Sequence, residues 1–372
     1  MNGGARHLYL HLPFCAHRCG YCDFVTLVGR RGGHAAYVDA LLTELELERG
    51  LLATDLETVY LGGGTPTYTE PGVLTRLLAT VPVAEEVTVE ANPETVTPRL
   101  ASVLREAGVT RVSLGAQSFQ PRLLAVLERQ ASPDAVRRAF YHLRDAGFDN
   151  VSLDLLYGIP GESASDLARD LAETIALGPE HLSCYELEAK PGTRFTFAYG
   201  EELARQAEAM EGYFELVVET LVGEGYRWYE TANFCRPGRQ AHHNLGYWLG
   251  RDYLGIGIGA VSTVDGLRWR NLPSLGAYVG ALVEGRRPPR EEEPLGPEVV
   301  GRERLMLGLR LDEPVPLSQV EGAVDGLALA RMERLGLAER RGGGLVLTPR
   351  GRFLGGGVTA ELMAESPAKS TI

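Results

Sequence analysis

The sequence predicts an α/β protein built on a parallel sheet, followed by a smaller C-terminal unit. Three observations lead there. Short β-branched runs alternate with segments of helical spacing from residue 7 to about 188. Polar residues recur on one face of three successive runs, as they do where parallel strands open onto a binding site. A Pro-rich, charged stretch then separates this alternation from the rest of the chain.

In order, the expected strands are His7–Pro13, Thr58–Gly63, Glu86–Asn92, Arg111–Gln117, Val151–Gly158 and His181–Glu188. Between them Ala35–Arg49, Pro71–Ala79, Pro98–Ala107, Pro133–Ala146 and Ser165–Ala176 have helical spacing. Several start on Pro, and Gly108, Gly147 and Gly178 stand just past three ends. Six βα repeats imply a parallel sheet, and both a doubly wound sheet and a partial barrel fit the alternation. Arg286–Pro297, RRPPREEEPLGP, reads as a linker. After it come helices around Val299–Leu309 and Ala323–Leu335, then two short strands about a Gly turn and a last helix, an order that suggests a winged-helix-like module. Its Arg331, Arg334, Arg340, Arg341, Arg350 and Arg352 suit a solvated face or a docking surface equally well.

With 372 residues, 44% hydrophobic and 23% charged, the chain is not disordered, collagenous or coiled coil. Lys+Arg 37 against Asp+Glu 49 gives a formal charge of -12, so no chain-wide basic field exists to hold nucleic acid. The start lacks a signal-peptide pattern and no long apolar run occurs, so a cytoplasmic protein is expected. Five cysteines are too few for a disulfide scaffold, and three of them crowd together.

Those three, Cys15, Cys19 and Cys22, form a C-x3-C-x2-C pattern directly after the first strand. Three thiolates on one short loop can wrap one metal centre. Structural zinc is one reading, with His11 or His17 as fourth ligand. A [4Fe–4S] cluster is the other, with one iron left for a substrate or cofactor. Cys184 and Cys235 stand alone and read as small buried hydrophobes.

The turn GGGTPT at Gly62–Thr67 lets the backbone approach a ligand at a strand's C-terminal end. One strand face then carries Thr88, Glu90 and Asn92, the next Ser113, Gly115 and Gln117, the next Ser152, Asp154 and Leu156. Asp154 lies between leucines and needs a partner: an internal bridge to Arg111 or Arg129, or a ligand such as a ribose.

Taken together, these motifs resemble the radical S-adenosylmethionine (SAM) superfamily. The resemblance is to its oxygen-independent coproporphyrinogen III oxidase group and, within that, to the HemW-like haem-chaperone branch, and it runs over essentially the whole chain. It implies a partial (βα)6 barrel with a C-terminal winged-helix-like domain. The expected divisions are 1–200 for the barrel with its cluster loop, 201–285 for an extension and 298–372 for the last domain. It further implies that Cys15, Cys19 and Cys22 hold a [4Fe–4S] cluster chelated by SAM. Tyr9, Tyr21, Gly63, Gly64, Thr65, Glu90, Gln117, Arg129 and Asp154 match the group's SAM contacts. The oxidases carry a further Cys where this chain has Phe24, and they have a longer N-terminal extension. HHNLGYW matches the chaperone branch's H-N-x-x-Y-W, making His243 the candidate axial haem ligand and His242 its neighbour in waiting.

The function this implies is binding of haem as cargo and its delivery to acceptor haemoproteins. The alternative is a coproporphyrinogen III dehydrogenase that decarboxylates propionates by radical chemistry. No nucleic-acid partner is expected, while a homodimer and a peripheral membrane contact stay open.

Overall fold

The chain is described by a computed structural model over residues 3–29, 31–188 and 190–363. Its first half runs β1 (His7–Leu12), α1 (His34–Glu48), β2 (Leu56–Gly63), α2 (Pro71–Thr80), β3 (Ala84–Ala91), α3 (Pro98–Glu106), β4 (Arg111–Gln117), α4 (Pro121–Val126), α5 (Pro133–Asp145), β5 (Val151–Tyr157), α6 (Ala164–Leu177) and β6 (His181–Glu186). Local chemistry sets these boundaries. Thr97, Ser132 and Ser163 cap the starts of α3, α5 and α6 through their side-chain oxygens, each cap worth about 1 kcal/mol. Gly178 ends α6 in the left-handed region at φ 68°.

The six strands pair in parallel and in sequence order, β1-β2-β3-β4-β5-β6. A doubly wound sheet reverses its strand order at the middle. This order never reverses, so the crossovers curl the sheet one way into an open barrel, which decides between the two architectures the repeats allowed. Leu8, Leu10, Val59, Leu61, Val87, Val89, Val112, Leu114, Leu153 and Leu155 point outward and pack on the helices in one continuous core. The alternate residues line the interior, and they are polar.

The chain continues through α7 (Arg194–Gln206), α8 (Met210–Gly223), β7 (Arg227–Glu230), β8 (Asn233–Cys235), α9 (His242–Trp248), β9 (Tyr253–Ile256), β10 (Val261–Val264), β11 (Leu267–Asn271), α10 (Leu275–Val283) and β12 (Arg290–Pro294). β8 and β7 extend the sheet antiparallel beyond β6. On the other side β9 joins β1 in parallel, a seventh parallel strand that the alternation did not reveal, followed by β10, β11 and β12. The linker reading of Arg286–Pro297 is therefore wrong: Arg290–Pro294 is the edge strand β12, paired with β11. Prolines and charges are what an edge strand carries to discourage further pairing, so they imitate a linker.

A second core, including Leu305, Leu309, Val320, Leu329, Met332 and Leu345, organises the C-terminal unit. It comprises α11 (Pro297–Gly308), β13 (Val315–Pro316), α12 (Gly326–Arg334), β14 (Ala338–Arg341), β15 (Gly344–Leu347), α13 (Pro349–Phe353) and α14 (Gly355–Leu362), with sheet order β13-β15-β14. This is the winged-helix-like order. Arg331, Arg340 and Arg341 pair with Glu361, Glu333 and Glu339 of the same unit. Arg352 does the docking: its guanidinium lies 3.6 Å from the centroid of Trp228 and donates to the Trp228 carbonyl at 2.8 Å. Arg227 grips Asp312 with two 2.8 Å bonds across the same junction. No helix among the described residues is long and apolar enough to cross a membrane.

Candidate cofactor site and motif helix

The cysteine loop leaves the C-terminal end of β1 and is pinned at both ends. Leu27 N–H donates to Pro13 O at 2.7 Å and Gly29 N–H to Cys15 O at 3.2 Å, while Cys22 N–H closes a turn onto Cys19 O. Cys15 is buried with its Sγ 3.5 Å from Thr65 Oγ1, and burial pushes its thiol up to about 11. Burial also raises Cys22. Arg129 brings a cation to this loop, its Nη1 lying 3.7 Å from Cys19 Sγ.

Neither histidine completes a zinc site. His11 uses both ring nitrogens, one at 3.0 Å from Tyr9 Oη and one at 2.8 Å from Val25 O. His17 lies 3.9 Å from Glu128. Among the described residues no three His, Cys, Asp or Glu side chains gather as a single ion requires. A four-iron cluster holds its thiolates farther apart than one ion does.

Beside the loop, GGGTPT makes the tight approach its glycines suggest. Gly64 N–H donates to Leu12 O at 2.8 Å, and a Cβ there would meet the Pro13 carbonyl at 2.6 Å. Gly63, at φ 111°, lies against the His11 ring. Thr65, Asn92, Cys19 and Arg129 line one recess. Asn92 Nδ2 donates to Thr65 Oγ1 at 3.0 Å, and Arg129 Nη2 donates to Asn92 Oδ1 and Gly115 O, both at 2.9 Å. Arg129 Nε is buried without a partner. An unspent guanidinium N–H above, with two carboxylates below, matches a ligand that carries both a carboxylate and a cation. The residues present therefore fit a cluster bearing SAM.

The two carboxylates are Glu90 and Asp154. Glu90 accepts from Tyr60 Oη at 2.8 Å and from Gly63 N–H at 3.1 Å, and burial pushes it up to about 7. Asp154 accepts from Ser113 Oγ, 3.1 Å from both oxygens, and is raised by burial. The bridge to Arg111 or Arg129 does not form: among the described residues neither carboxylate has a cation within 4.0 Å. Gln117 ends β4 after a bulge and holds φ 65°, a conformation a non-glycine residue adopts at some energetic cost. Tyr9 stacks on Tyr60 at 6.2 Å and reaches His11, one layer below the loop, and Tyr21 packs edge-on against Phe195.

Two supports escaped sequence reasoning. Asp170 on α6 is buried and accepts from Ser118 Oγ, Phe119 N–H and Gln120 Nε2, fixing the turn that strains Gln117. Glu44 on α1 accepts from Gly257 N–H at 2.8 Å, while Gly259 sits beneath Val25 at the loop's exit. The alternating glycines of GIGIGA at 255–260 were the available signal for the second.

The motif helix α9 lies at the opposite end of the barrel. His243 is 1% exposed; its Nδ1 lies 2.7 Å from Thr58 Oγ1 and its Nε2 2.8 Å from Tyr247 Oη, and it stacks on Tyr60 at 4.9 Å. Burial holds its pKa well below the usual imidazole range. In this conformation both ring nitrogens of His243, the expected haem ligand, are spent and the ring is enclosed. His242, on the same turn, is exposed. Glu86 accepts both their backbone N–H groups, at 3.2 and 3.1 Å. Trp248 is clasped from the C-terminal unit, with Arg310 4.5 Å over its ring and Arg304 donating to its carbonyl at 3.0 Å.

Comparison with known proteins places this geometry. Residues 9–173 match the Radical SAM superfamily and residues 295–354 the HemN C-terminal domain. Heme chaperone HemW of Mycobacterium tuberculosis (strain ATCC 25618 / H37Rv) is 39% identical over 98% of this chain and 96% of its own length. Heme chaperone HemW of Bacillus subtilis (strain 168) is 32% identical over 96% and 99%. Coproporphyrinogen III oxidase (HemN) from Escherichia coli superposes with a TM-score of 0.81 over 96% of this chain and 90% of that one, at 23% identity, which establishes the shared fold. With these relatives spanning nearly its full length, the chain belongs to the HemW heme-chaperone family of the radical SAM superfamily.

Proposed function

We propose that this chain binds haem and delivers it to acceptor haemoproteins. In this reading Cys15, Cys19 and Cys22 hold a [4Fe–4S] cluster, and Gly63, Gly64, Thr65, Glu90, Gln117, Arg129 and Asp154 surround SAM. The supporting observation is the distance between the two ends of the barrel. His7, the first residue of β1, packs against His243 at 6.1 Å between ring centroids, whereas the cysteine loop leaves the other end of the same strand. A six-residue strand spans roughly 20 Å. A haem held at α9 is out of reach of the cluster, as suits a cargo and not a substrate.

Bound at the loop, the cluster and SAM supply one-electron chemistry to the C-terminal mouth. The chain's own residues do the rest. Arg129 offers its free N–H to an anion, Glu90 and Asp154 accept from cationic or hydroxyl donors, and the Gly64 backbone allows close approach. Phe24, 64% exposed, presents a hydrocarbon ring where the oxidases carry a further thiol. The test is haem uptake by the cluster-reconstituted protein followed by transfer to an apo-haemoprotein, read from the Soret band. Stoichiometric uptake and transfer are expected, and absence of haem binding would sink the proposal.

A further inference from the structure

Arg111 is 1% exposed, among the largest fully buried side chains of the chain, and no function has yet fallen to it. It opens β4 on the face that lines the barrel. Two residues farther along the same face stands Ser113, whose Oγ donates to Asp154 and whose Cα pairs with that of Glu90. The Arg111 Cα therefore lies one layer, roughly 6–7 Å of strand rise, beneath that of Ser113, and its guanidinium meets His181, which shares Ser152 with Asp154. Its side-chain hydrogen-bond partner is neutral: Nη2 lies 3.2 Å from His181 Nδ1. His181 Nε2 lies 2.8 Å from Tyr229 Oη, and burial keeps the imidazole uncharged. Among the described residues Arg111 Nε has no partner, and no carboxylate oxygen lies within 4.0 Å. A buried cation with only a neutral contact is tolerable where anions face it across a low-dielectric interior.

Resting on the proposed SAM site, we infer that Arg111 is a positioning residue, the shared counter-charge that keeps Glu90 and Asp154 ionised to receive a cationic ligand. Two carboxylates against one guanidinium leave these three groups with one negative charge in excess, which a ligand with net charge of plus one balances. The groups around these carboxylates bear this out. Glu90 faces Tyr9 on β1, Tyr60 on β2, Tyr247 on α9 and Asp154 on β5. Asp154 faces Cys184 and Tyr185 on β6 besides. All the tyrosines and the thiol are raised by burial and stay neutral, while the Arg111 cation draws both carboxylates down.

The experiment is anaerobic calorimetric titration of the cluster-reconstituted full chain with SAM from pH 5.5 to 9, in wild type, Arg111→Lys, Arg111→Met, Glu90→Gln and Asp154→Asn. Wild-type affinity is expected to fall on acidification through about 7, where Glu90 protonates. Arg111→Met is expected to move that midpoint up by about one unit, weakening SAM about fivefold at pH 7 and recovering near pH 9, while Arg111→Lys keeps the wild-type midpoint. A profile for Arg111→Met that superimposes on wild type, or one lowered equally at every pH, would overturn the inference alone. Unchanged affinity in both Glu90→Gln and Asp154→Asn would overturn it together with the SAM-site reading. If Arg111→Met does not fold, restoration of cooperative unfolding in Arg111→Met/Glu90→Gln supports the charge balance, and failure to restore it counts against.

Discussion

Cys15, Cys19 and Cys22 sit on a loop pinned by backbone pairing outside the main core, so losing one thiol leaves the barrel packed. Replacing any of them by Ala is expected to abolish the brown absorbance of reconstituted protein while circular dichroism still reports cooperative unfolding. Full iron content in such a variant would refute the assignment. Asp154→Asn is expected to weaken SAM about tenfold, the loss of one charged hydrogen bond, and to leave iron content unchanged. Asp170→Ala removes a buried acceptor of three bonds and is expected to cost about 3 kcal/mol in denaturant unfolding. The contrast between these residues shows what one sequence can disclose. Glu90 and Asp154 were legible because carboxylates inside apolar strands are out of place. Asp170 was not, because one acid on an amphipathic helix looks solvent-facing until the turn it supports is known.

At the scale of elements, α9 behaves as a plug made of neutral groups. Burial lowers His7 to about 4 and holds His243 well below the usual imidazole range. A histidine whose folded pKa is depressed contributes stability that is present above pH 6.5 and lost as pH falls toward the folded value. Glu44, Glu90 and Glu162, raised to about 7 by burial, act in the opposite sense, losing their contribution as pH rises from 4.5 to 7. Global stability mixes the two signs, so the local readout is the informative one. Hydrogen exchange of residues 242–248, corrected for its intrinsic pH dependence, is expected to speed up between pH 6.5 and 5 relative to β1–β6, and constant relative protection would contradict the plug. For haem, His242→Ala is expected to lose binding, and His243→Ala to lower the melting temperature while retaining it. The reverse pattern would mean that α9 swings out to load. Spacing alone could not distinguish these histidines, since the burial of His243 comes from β2 and β3, far away in sequence. The same holds for β12, whose pairing with β11 no local pattern announces.

The whole molecule is a barrel with cofactor chemistry at one mouth, a motif helix at the other and a C-terminal unit clasping that helix. The βα alternation made six of the seven parallel strands legible to within two residues at each end. The clasp was not, because it consists of long-range contacts such as Arg310 on Trp248 and Arg352 on Trp228. Truncation after Pro297 is expected to spare SAM binding, uncover both tryptophans and impair delivery, and loss of SAM binding would show that the barrel depends on the clasp. The most direct measurement is anaerobic titration of the cluster-reconstituted protein with haem, with coproporphyrinogen consumption followed in parallel samples. Stoichiometric haem binding with the porphyrinogen untouched is expected, whereas porphyrinogen turnover with release of 5′-deoxyadenosine would contradict the carrier role and make this chain an oxidase despite Phe24.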